Sequence, residues 1–311
     1  MVVLGGSTHP TLVADVCARL GVEPGRVRFT RFSNENVKVR VESNVRDRDV
    51  FVLQTSCPPV NESLMETLIL IDALRSSGAG RVTAVLPYFP YVRSDKQDEP
   101  GISITARLVA DLLVTAGAQR VVTLDMHSPQ IHGFFRVPVD HLTAIPVLCS
   151  KLAEDRSVQR VVVATDVGEA KDAGRFAASL GYPVAVIDKR RQGDDEHAIP
   201  KTLVGDVQGR RALIVDDELA TGGTILEAAE LVLRMGAAGA EAAVVHAVLS
   251  GNAVERLRRS SLTRLVVTDS IPLPEEKRDP RIEVVSVAPL LAEALRRIHH
   301  GQGTADLASR R

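Results

Sequence analysis

Short, β-branched apolar runs punctuate the chain: VFVLQ from Val50, VTAVLPY from Val82, VVTLD from Val121, VVVATD from Val161, VAVID from Val184, ALIVDD from Ala212 and AAVVHAVL from Ala242. Runs of about four to eight such residues, bounded by turn residues, read as strands buried on both faces. Between them the apolar spacing becomes helical, with Leu64, Met65, Leu68, Ile71 and Leu74 in one segment and Leu226, Ala229, Leu233 and Met235 in another. Both stripes are expected to face the core. The alternation of strand and helix predicts an α/β protein with mainly parallel sheets.

The order of elements occurs twice. NVRDRDVFVLQ leads to a polar turn and a helix ending near SSGAGRVTAVLPYF, while DVQGRRALIVDD leads to ATGGT and a helix ending near RMGAAGAEAAVVHAVLS. Strand, loop, helix, Gly-Ala turn and strand in the same sequence read as a duplication. The boundary is expected after VPVDHLTAIP, near residue 143, which gives an N-terminal domain over 1–143 and a C-terminal domain over 144–289. The apolar helix over 290–300 is expected to pack back onto the first domain, and GQGTADLASRR beyond it reads as a frayed tail. A length of 311 residues suits two domains, at roughly 150 residues each.

Composition narrows this picture. Hydrophobic residues make up 45% of the chain but aromatics 3%, with no Trp, so Val, Leu, Ile and Ala must fill the cores, as parallel sheets favour. Lys plus Arg number 38 and Asp plus Glu 39, so no global field draws the chain toward nucleic acid or an anionic membrane, and any anion site must be local. Cys17, Cys57 and Cys149 are odd in number and far apart, which argues against a disulfide framework or a zinc site. The start, MVVLGGSTHPTLVADV, lacks a basic segment followed by an apolar run, and no stretch reaches 18 apolar residues. These features lead to the expectation of a cytoplasmic protein without a membrane segment.

The strongest chemical signal is ALIVDDELATGGTILEAA: a strand, two acids, a small-residue turn and a helix. The strand delivers Asp216 and Asp217 to its carboxyl end, where open α/β sheets bind ligands. Thr221, Gly222, Gly223 and Thr224 offer backbone N–H groups at a helix N-terminus, where hydrogen bonds and the helix dipole favour a phosphate. Acids beside such a nest suit a polyol phosphate, with the carboxylates taking ribose hydroxyls or hydrated Mg²⁺. The competing reading, a tight turn with a Thr cap and exposed acids, requires the two acids, two glycines and two threonines to coincide by chance.

This stretch resembles the phosphoribosyl diphosphate (PRPP) loop of the type I phosphoribosyltransferase fold. RFSNENVKVRVESNVRDRDVF, PPVNESLMETLILIDALRSSGAGRVTAVLPYFPYVRSDK, ISITARLVADLL, VTLDMHSPQIHGFFRVPVDHLTAIP, VIDKRR and SGNAVERL resemble the ribose-phosphate pyrophosphokinase (PRPP synthase) family, from about Gly5 to about Ile298. The resemblance implies two tandem type I phosphoribosyltransferase-like domains, each a mainly parallel sheet flanked by helices. It also implies transfer of the β,γ-diphosphoryl group of ATP to the C1 hydroxyl of ribose 5-phosphate, giving PRPP and AMP. Mg²⁺ is the implied cofactor, and the implied assembly is a dimer-based homo-oligomer, with a hexamer as the candidate.

Site residues follow motif by motif. Lys189 and Arg191, in DKRR, match a catalytic pair that would neutralise charge on the transferring group. Asp216, Asp217, Thr221, Gly222, Gly223 and Thr224 match the ribose 5-phosphate site. Arg93, Ser94, Asp95 and His127 match ATP-binding positions, as do Phe32, Asn34 and Asn36 in RFSNEN. His127, in LDMHS, and Asp166, in VATD, match metal positions, and His132 matches a family position with a structural role as its main competitor.

Several positions depart from the family pattern. Asn34 and Asn36 stand where the family has acids, Ser94 and Lys96 replace the usual Gln and Arg, and QGDDEHAIPKTL differs from the usual loop. Ala220 replaces the Asp of the usual DTGGT, so the expectation is retained ribose 5-phosphate binding with altered turnover or metal use. Two alternatives come from other classes: a non-catalytic associated subunit, and a PRPP-consuming phosphoribosyltransferase. The joint presence of DMH, TD, DKRR, DD and TGGT disfavours the first, and the double length disfavours the second.

Overall fold

The structure, a computed structural model, describes residues 1–155, 158–188 and 202–308. The chain divides into two units: Met1–Thr143 with Ser270–Pro272 and Ser286–Arg311, and Ala144–Asp269 with Leu273–Val285.

The first unit opens with β1 (Val2–Gly5) and α1 (Pro10–Leu20), then a two-stranded antiparallel ribbon of β2 (Val27–Arg31) and β3 (Val37–Val41). Next come β4 (Asp49–Leu53), α2 (Val60–Ser76), β5 (Arg81–Leu86), α3 (Thr105–Ala116), β6 (Arg120–Leu124) and β7 (Val139–Leu142). The sheet order is β1-β4-β5-β6-β7, with every pairing parallel. Val50, Val52, Val82, Ala84 and Leu86 from its strands form one core with Leu70, Ile71 and Leu74 of α2 and Val109 and Leu113 of α3.

The second unit runs α4 (Ile145–Leu152), β8 (Arg160–Ala164), α5 (Ala170–Leu180), β9 (Val184–Asp188), β10 (Thr202–Val204), β11 (Arg211–Leu219), α6 (Gly223–Arg234), β12 (Gly239–Ala247), α7 (Ala253–Arg259), β13 (Leu262–Thr268) and β14 (Ile282–Val285). Its sheet order is β10-β9-β8-β11-β12-β13-β14, antiparallel only at β10. The chain then returns to the first unit as α8 (Ala288–His299), which packs on α1. Arg296 donates to Arg19 O at 3.0 Å, and the Ile298 carbonyl accepts from Arg81 at 3.1 Å.

Strand order β1-β4-β5-β6-β7 in the first unit matches β8-β11-β12-β13-β14 in the second. Helices correspond too: α8 covers α1 as α4 covers α5, although α8 follows its unit in the chain and α4 precedes its own. Each apolar run noted in the sequence lies in a strand, and the repeat is visible in the topology. β1, β2, β3, β7, β10, β13 and β14 are further strands without so clear an apolar signature.

Two expectations need correction. Met65 is 54% exposed and Met235 51%, so neither belongs to a core face. The buried face of α2 holds Ser63, Glu66, Thr67, Leu70, Ile71 and Leu74, and its polar members are engaged in hydrogen bonds. Glu66 accepts from Ser7 N at 2.6 Å and from Ser7 Oγ at 2.7 Å, and Thr67 Oγ1 donates to Ser63 O at 2.7 Å. Polar residues therefore occupy the inward stripe and leave Met65 outside. Met235 caps the end of α6, beyond its buried residues. Residues 302–308 are tied down rather than frayed: Thr304 Oγ1 donates to Asp140, Asp306 pairs with Arg297, and Thr143 N donates to Leu307 O at 3.4 Å.

One ion pair sits inside the second unit. The Arg160 and Glu241 side chains are 0% and 1% exposed and hydrogen-bonded to each other across β8 and β12, with the Arg160 guanidinium also reaching Tyr182 and Asp155. Removing Glu241 leaves the buried Arg160 charge with the longer 3.4 Å contact to the half-exposed Asp155 in place of its fully buried partner, so Glu241→Ala should cost about 3 kcal/mol in chemical denaturation. A loss below about 1 kcal/mol would show that the interior accommodates Arg160 alone.

Candidate active site

In the second unit, parallel pairing of β8 with β11 runs to Ala164 opposite Val215, where β8 ends and β11 continues to Leu219 alongside β12. Thr165 and Asp166 follow β8, and Asp216 and Asp217 lie in the part of β11 that extends past it. Thr165 Oγ1 donates to Asp216 Oδ2 at 3.1 Å, and Asp217 N donates to Asp216 Oδ1 at 3.0 Å. Burial, followed by the neighbouring Asp217, pushes the Asp216 carboxyl up to about 8.

A residue outside the sequence-derived site joins this group. Glu169 stands at the start of α5, where its backbone N–H donates to Asp166 Oδ1 at 3.2 Å. One of its carboxylate oxygens lies within 4.8 Å of one from Asp217. Burial, then Asp217, Asp216, Asp172 and Asp166, pushes its carboxyl up to about 8. The turn between is tight, since a Cβ at Gly168 would come within 3.0 Å of Asp166 Oδ1.

The loop after β11 turns tightly into α6. Gly222 has φ +78, a left-handed conformation that glycine adopts without steric cost, and α6 begins at Gly223. The opening N–H groups of a helix have no intrahelical partners, so those at Gly223 and Thr224 face the turn. Arg256, from α7, donates to Thr221 O at 3.1 Å and places a half-buried cation beside the loop. Sequence reasoning treated SGNAVERL only as a family motif and did not single Arg256 out. The loop entrance is anchored through backbone alone: Leu249 N donates to Leu219 O at 3.0 Å and Ser250 N to Ala220 O at 2.9 Å. The side chain at position 220 therefore plays no part in holding the nest.

In the first unit β5 and β6 are neighbours, so the segments after them leave the same end of the sheet. Asp125, at φ 30, receives Thr143 Oγ1 at 2.6 Å, and Met126 N donates to His141 Nε2 at 2.9 Å. These bonds fix the turn from which His127 projects, exposed. His132 Nε2 lies 3.3 Å from the Val139 carbonyl, a contact that ties its short helix to β7. Arg93 is exposed on a turn closed by Ser94 N donating to Tyr91 O at 2.9 Å, and Ser94 O accepts from Ala106 N at the start of α3. Asp95 follows, half-buried.

Phe32, Asn34 and Asn36 occupy the turn of the β2–β3 ribbon. Phe32 N donates to Asn36 O at 2.9 Å, Asn36 N to Asn34 Oδ1 at 3.3 Å, and the Phe32 ring is 50% exposed. Asp166, Asp216, Asp217 and Thr221 to Thr224 thus share one sheet end in the second unit, and Arg93 to Asp95 share one with His127 in the first. The ribbon residues sit on a separate two-stranded sheet. Lys189 and Arg191 lie outside the described residues.

Paired acids and a phosphate nest at the carboxyl edge of a parallel sheet, in a chain that repeats this sheet twice, define an α/β phosphotransferase of the phosphoribosyl type. Residues 1–117 match the family profile described as the N-terminal domain of ribose phosphate pyrophosphokinase, and residues 195–308 match the phosphoribosyl synthetase-associated domain. The ribose-phosphate pyrophosphokinase of Clostridium acetobutylicum is 44% identical over 94% of this chain and 92% of its own. That of Deinococcus radiodurans is 44% identical over 99% and 97%. The crystal structure of phosphoribosylpyrophosphate synthetase from Mycobacterium smegmatis superposes with a TM-score of 0.91 at 41% identity, covering 96% of this chain and 99% of that one. The chain belongs to the ribose-phosphate pyrophosphokinase family, and it is a diphosphotransferase rather than a dead subunit or a PRPP-consuming enzyme. Among the described residues, no helix is long and apolar enough to cross a membrane.

The crowded acids carry a pH signature. Their folded-state pKa values, about 8, lie above the ordinary 3.8 for Asp216 and 4.5 for Glu169, so the folded state binds the proton more tightly than the unfolded chain. Their contribution to stability is therefore full below the ordinary values and is lost as pH rises through about 8. In metal-free protein, Glu169→Gln should gain stability over wild type as pH is raised from about 5 to about 9. Thermal unfolding in chelator checks this, and a pH-independent difference between the two proteins would contradict it.

Proposed function

We propose that the second unit binds ribose 5-phosphate, with its phosphate on the backbone N–H groups of Thr221, Gly222, Gly223 and Thr224 and its hydroxyls on Asp216 and Asp217. The observation that carries this reading is the nest itself: a left-handed Gly222 opening α6, next in the chain to paired acids on the end of β11. Arg256 adds a cation at the loop. A helix N-terminus and a neighbouring guanidinium together favour a doubly charged phosphate.

The donor is ATP, and the first unit supplies its contacts: Arg93, Ser94, Asp95 and His127 for the phosphates, Phe32, Asn34 and Asn36 for the base. An exposed ring with amide groups beside it can stack on a purine and hydrogen-bond its edge. The ribose C1 hydroxyl attacks the β-phosphorus, the bond to the α–β bridging oxygen breaks, and AMP leaves. Lys189 and Arg191, assigned by sequence alone, neutralise charge on the transferring group. The active form is a dimer-based homo-oligomer.

The donor set suits Mg²⁺, a hard cation that takes oxygen ligands and keeps several waters. Asp166 is the metal carboxylate of the second unit, and His127 is the imidazole assigned to metal and nucleotide in the first. Asp216 and Glu169, raised first by burial and then by neighbouring acids, mark a place where negative charge is costly. When bound, Mg²⁺ compensates that charge and neutralises phosphate oxygens.

Incubation of purified protein with Mg²⁺, ATP and ribose 5-phosphate should yield AMP and PRPP in equal amounts. AMP without PRPP, or no turnover with any nucleoside triphosphate, would sink the reading. Lys189→Ala should lower kcat by at least about 100-fold without changing thermal stability, and an unchanged rate removes Lys189 from the catalytic set.

A further inference from the structure

We propose that Glu169 is a working carboxylate of the Mg²⁺ and ribose site, standing in for the acid that the resembling family carries where this chain has Ala220. The inference rests on the ribose 5-phosphate reading above.

Three placements carry it. First, Glu169 is aimed by the site's own machinery: Asp166 Oδ1 accepts its backbone N–H at 3.2 Å, so the residue assigned to the metal also sets where Glu169 stands. Second, a carboxylate oxygen of Glu169 lies within 4.8 Å of one from Asp217, close enough for both to face one cation. A Glu serving only to start α5 would gain from turning toward solvent. This one is half-buried, facing like charges, an arrangement that costs stability until a cation or sugar hydroxyls compensate it.

Third, the loop that lost its acid kept its shape. Ala220 O accepts from Ser250 N at 2.9 Å and Leu219 O from Leu249 N at 3.0 Å, so the Asp-to-Ala change removes a carboxylate without removing the nest. The loop after β11 has Ala220 where the resembling family has an acid, and the Glu169 carboxylate stands at the start of α5. Parallel pairing of β8 with β11 brings those two loops to the same sheet end. Glu reaches one methylene further than Asp, which suits entry from the neighbouring loop.

The test uses full-length protein and Mn²⁺ as the probe. Wild type, Glu169→Gln, Ala220→Asp and the double variant are titrated with Mn²⁺ by electron paramagnetic resonance without substrates, and the Mg²⁺ dependence of PRPP formation is measured for each. Glu169→Gln should weaken Mn²⁺ binding by about 10- to 100-fold, the range typical for loss of a supporting carboxylate, and should raise the Mg²⁺ needed for half-maximal rate. Ala220→Asp in the Glu169→Gln background should restore most of the affinity. Wild-type Mn²⁺ binding by Glu169→Gln would overturn the proposal, and loss without rescue by Ala220→Asp would overturn the exchange between the two positions. Circular dichroism confirms that each variant is folded, and Glu169→Ala serves if Glu169→Gln is not: Mn²⁺ binding weakened about 10- to 100-fold in that variant supports the carboxylate role, and wild-type binding overturns it. Failure of the ribose 5-phosphate reading shows separately, as wild type that makes no PRPP.

Discussion

Carboxylates of like charge are held together at one end of a sheet by backbone pairing that they cannot influence. Parallel registration of β8 with β11 is set by buried Val, Leu, Ile and Ala, and it brings Asp166, just past β8, beside Asp216 and Asp217 near the end of β11 whatever their mutual repulsion. Thr165 and the Asp217 backbone N–H relieve Asp216 in part, and burial still drives its carboxyl up to about 8. A strongly packed sheet is what makes such an arrangement tolerable. The hydrophobic interior of the second unit supports an active site that, by itself, favours opening.

Opposite electrostatic characters stand next to each other in the loop after β11. The acids demand positive charge, while the start of α6 and Arg256 demand negative charge. A phosphorylated sugar with a divalent cation satisfies both, and few other small molecules do. In the proposed site backbone groups would hold the phosphate, so substitutions in the side chains around it would retune metal and hydroxyl contacts without dissolving the phosphate site. Ala220 is one such change, tolerated because its loop is anchored through carbonyl oxygens.

The fold was legible where burial is complete. VVVATD, ALIVDD and AAVVHAVL announce central strands because both of their faces need apolar residues. Edge and ribbon strands such as β2, β3 and β14 alternate with exposed residues and carry a weaker signature. The inner face of α2 was misread because Ser63, Glu66 and Thr67 look like surface residues until their hydrogen bonds to Ser7 and the local backbone are seen. Local motifs exposed the acids and the nest, whereas Glu169 and Arg256 reach the site from other elements, a proximity set by tertiary pairing. Asp166 was legible as an acid after a strand, but not as the residue that orients Glu169.

The first unit is not continuous in the chain. Its α1 is covered by α8, which follows the whole second unit, whereas the helix covering α5 precedes its unit. During synthesis the second unit can close its core as soon as β14 emerges. The first unit must wait, with the α8-facing surface of α1 and the Arg81–Asp49 pair open to water, until residues 288–299 arrive. Assembly order is thus inverted relative to chain order. The segment that finishes the first unit is made after the whole second unit, so a chain broken off after β14 has a complete second unit and an unfinished first one.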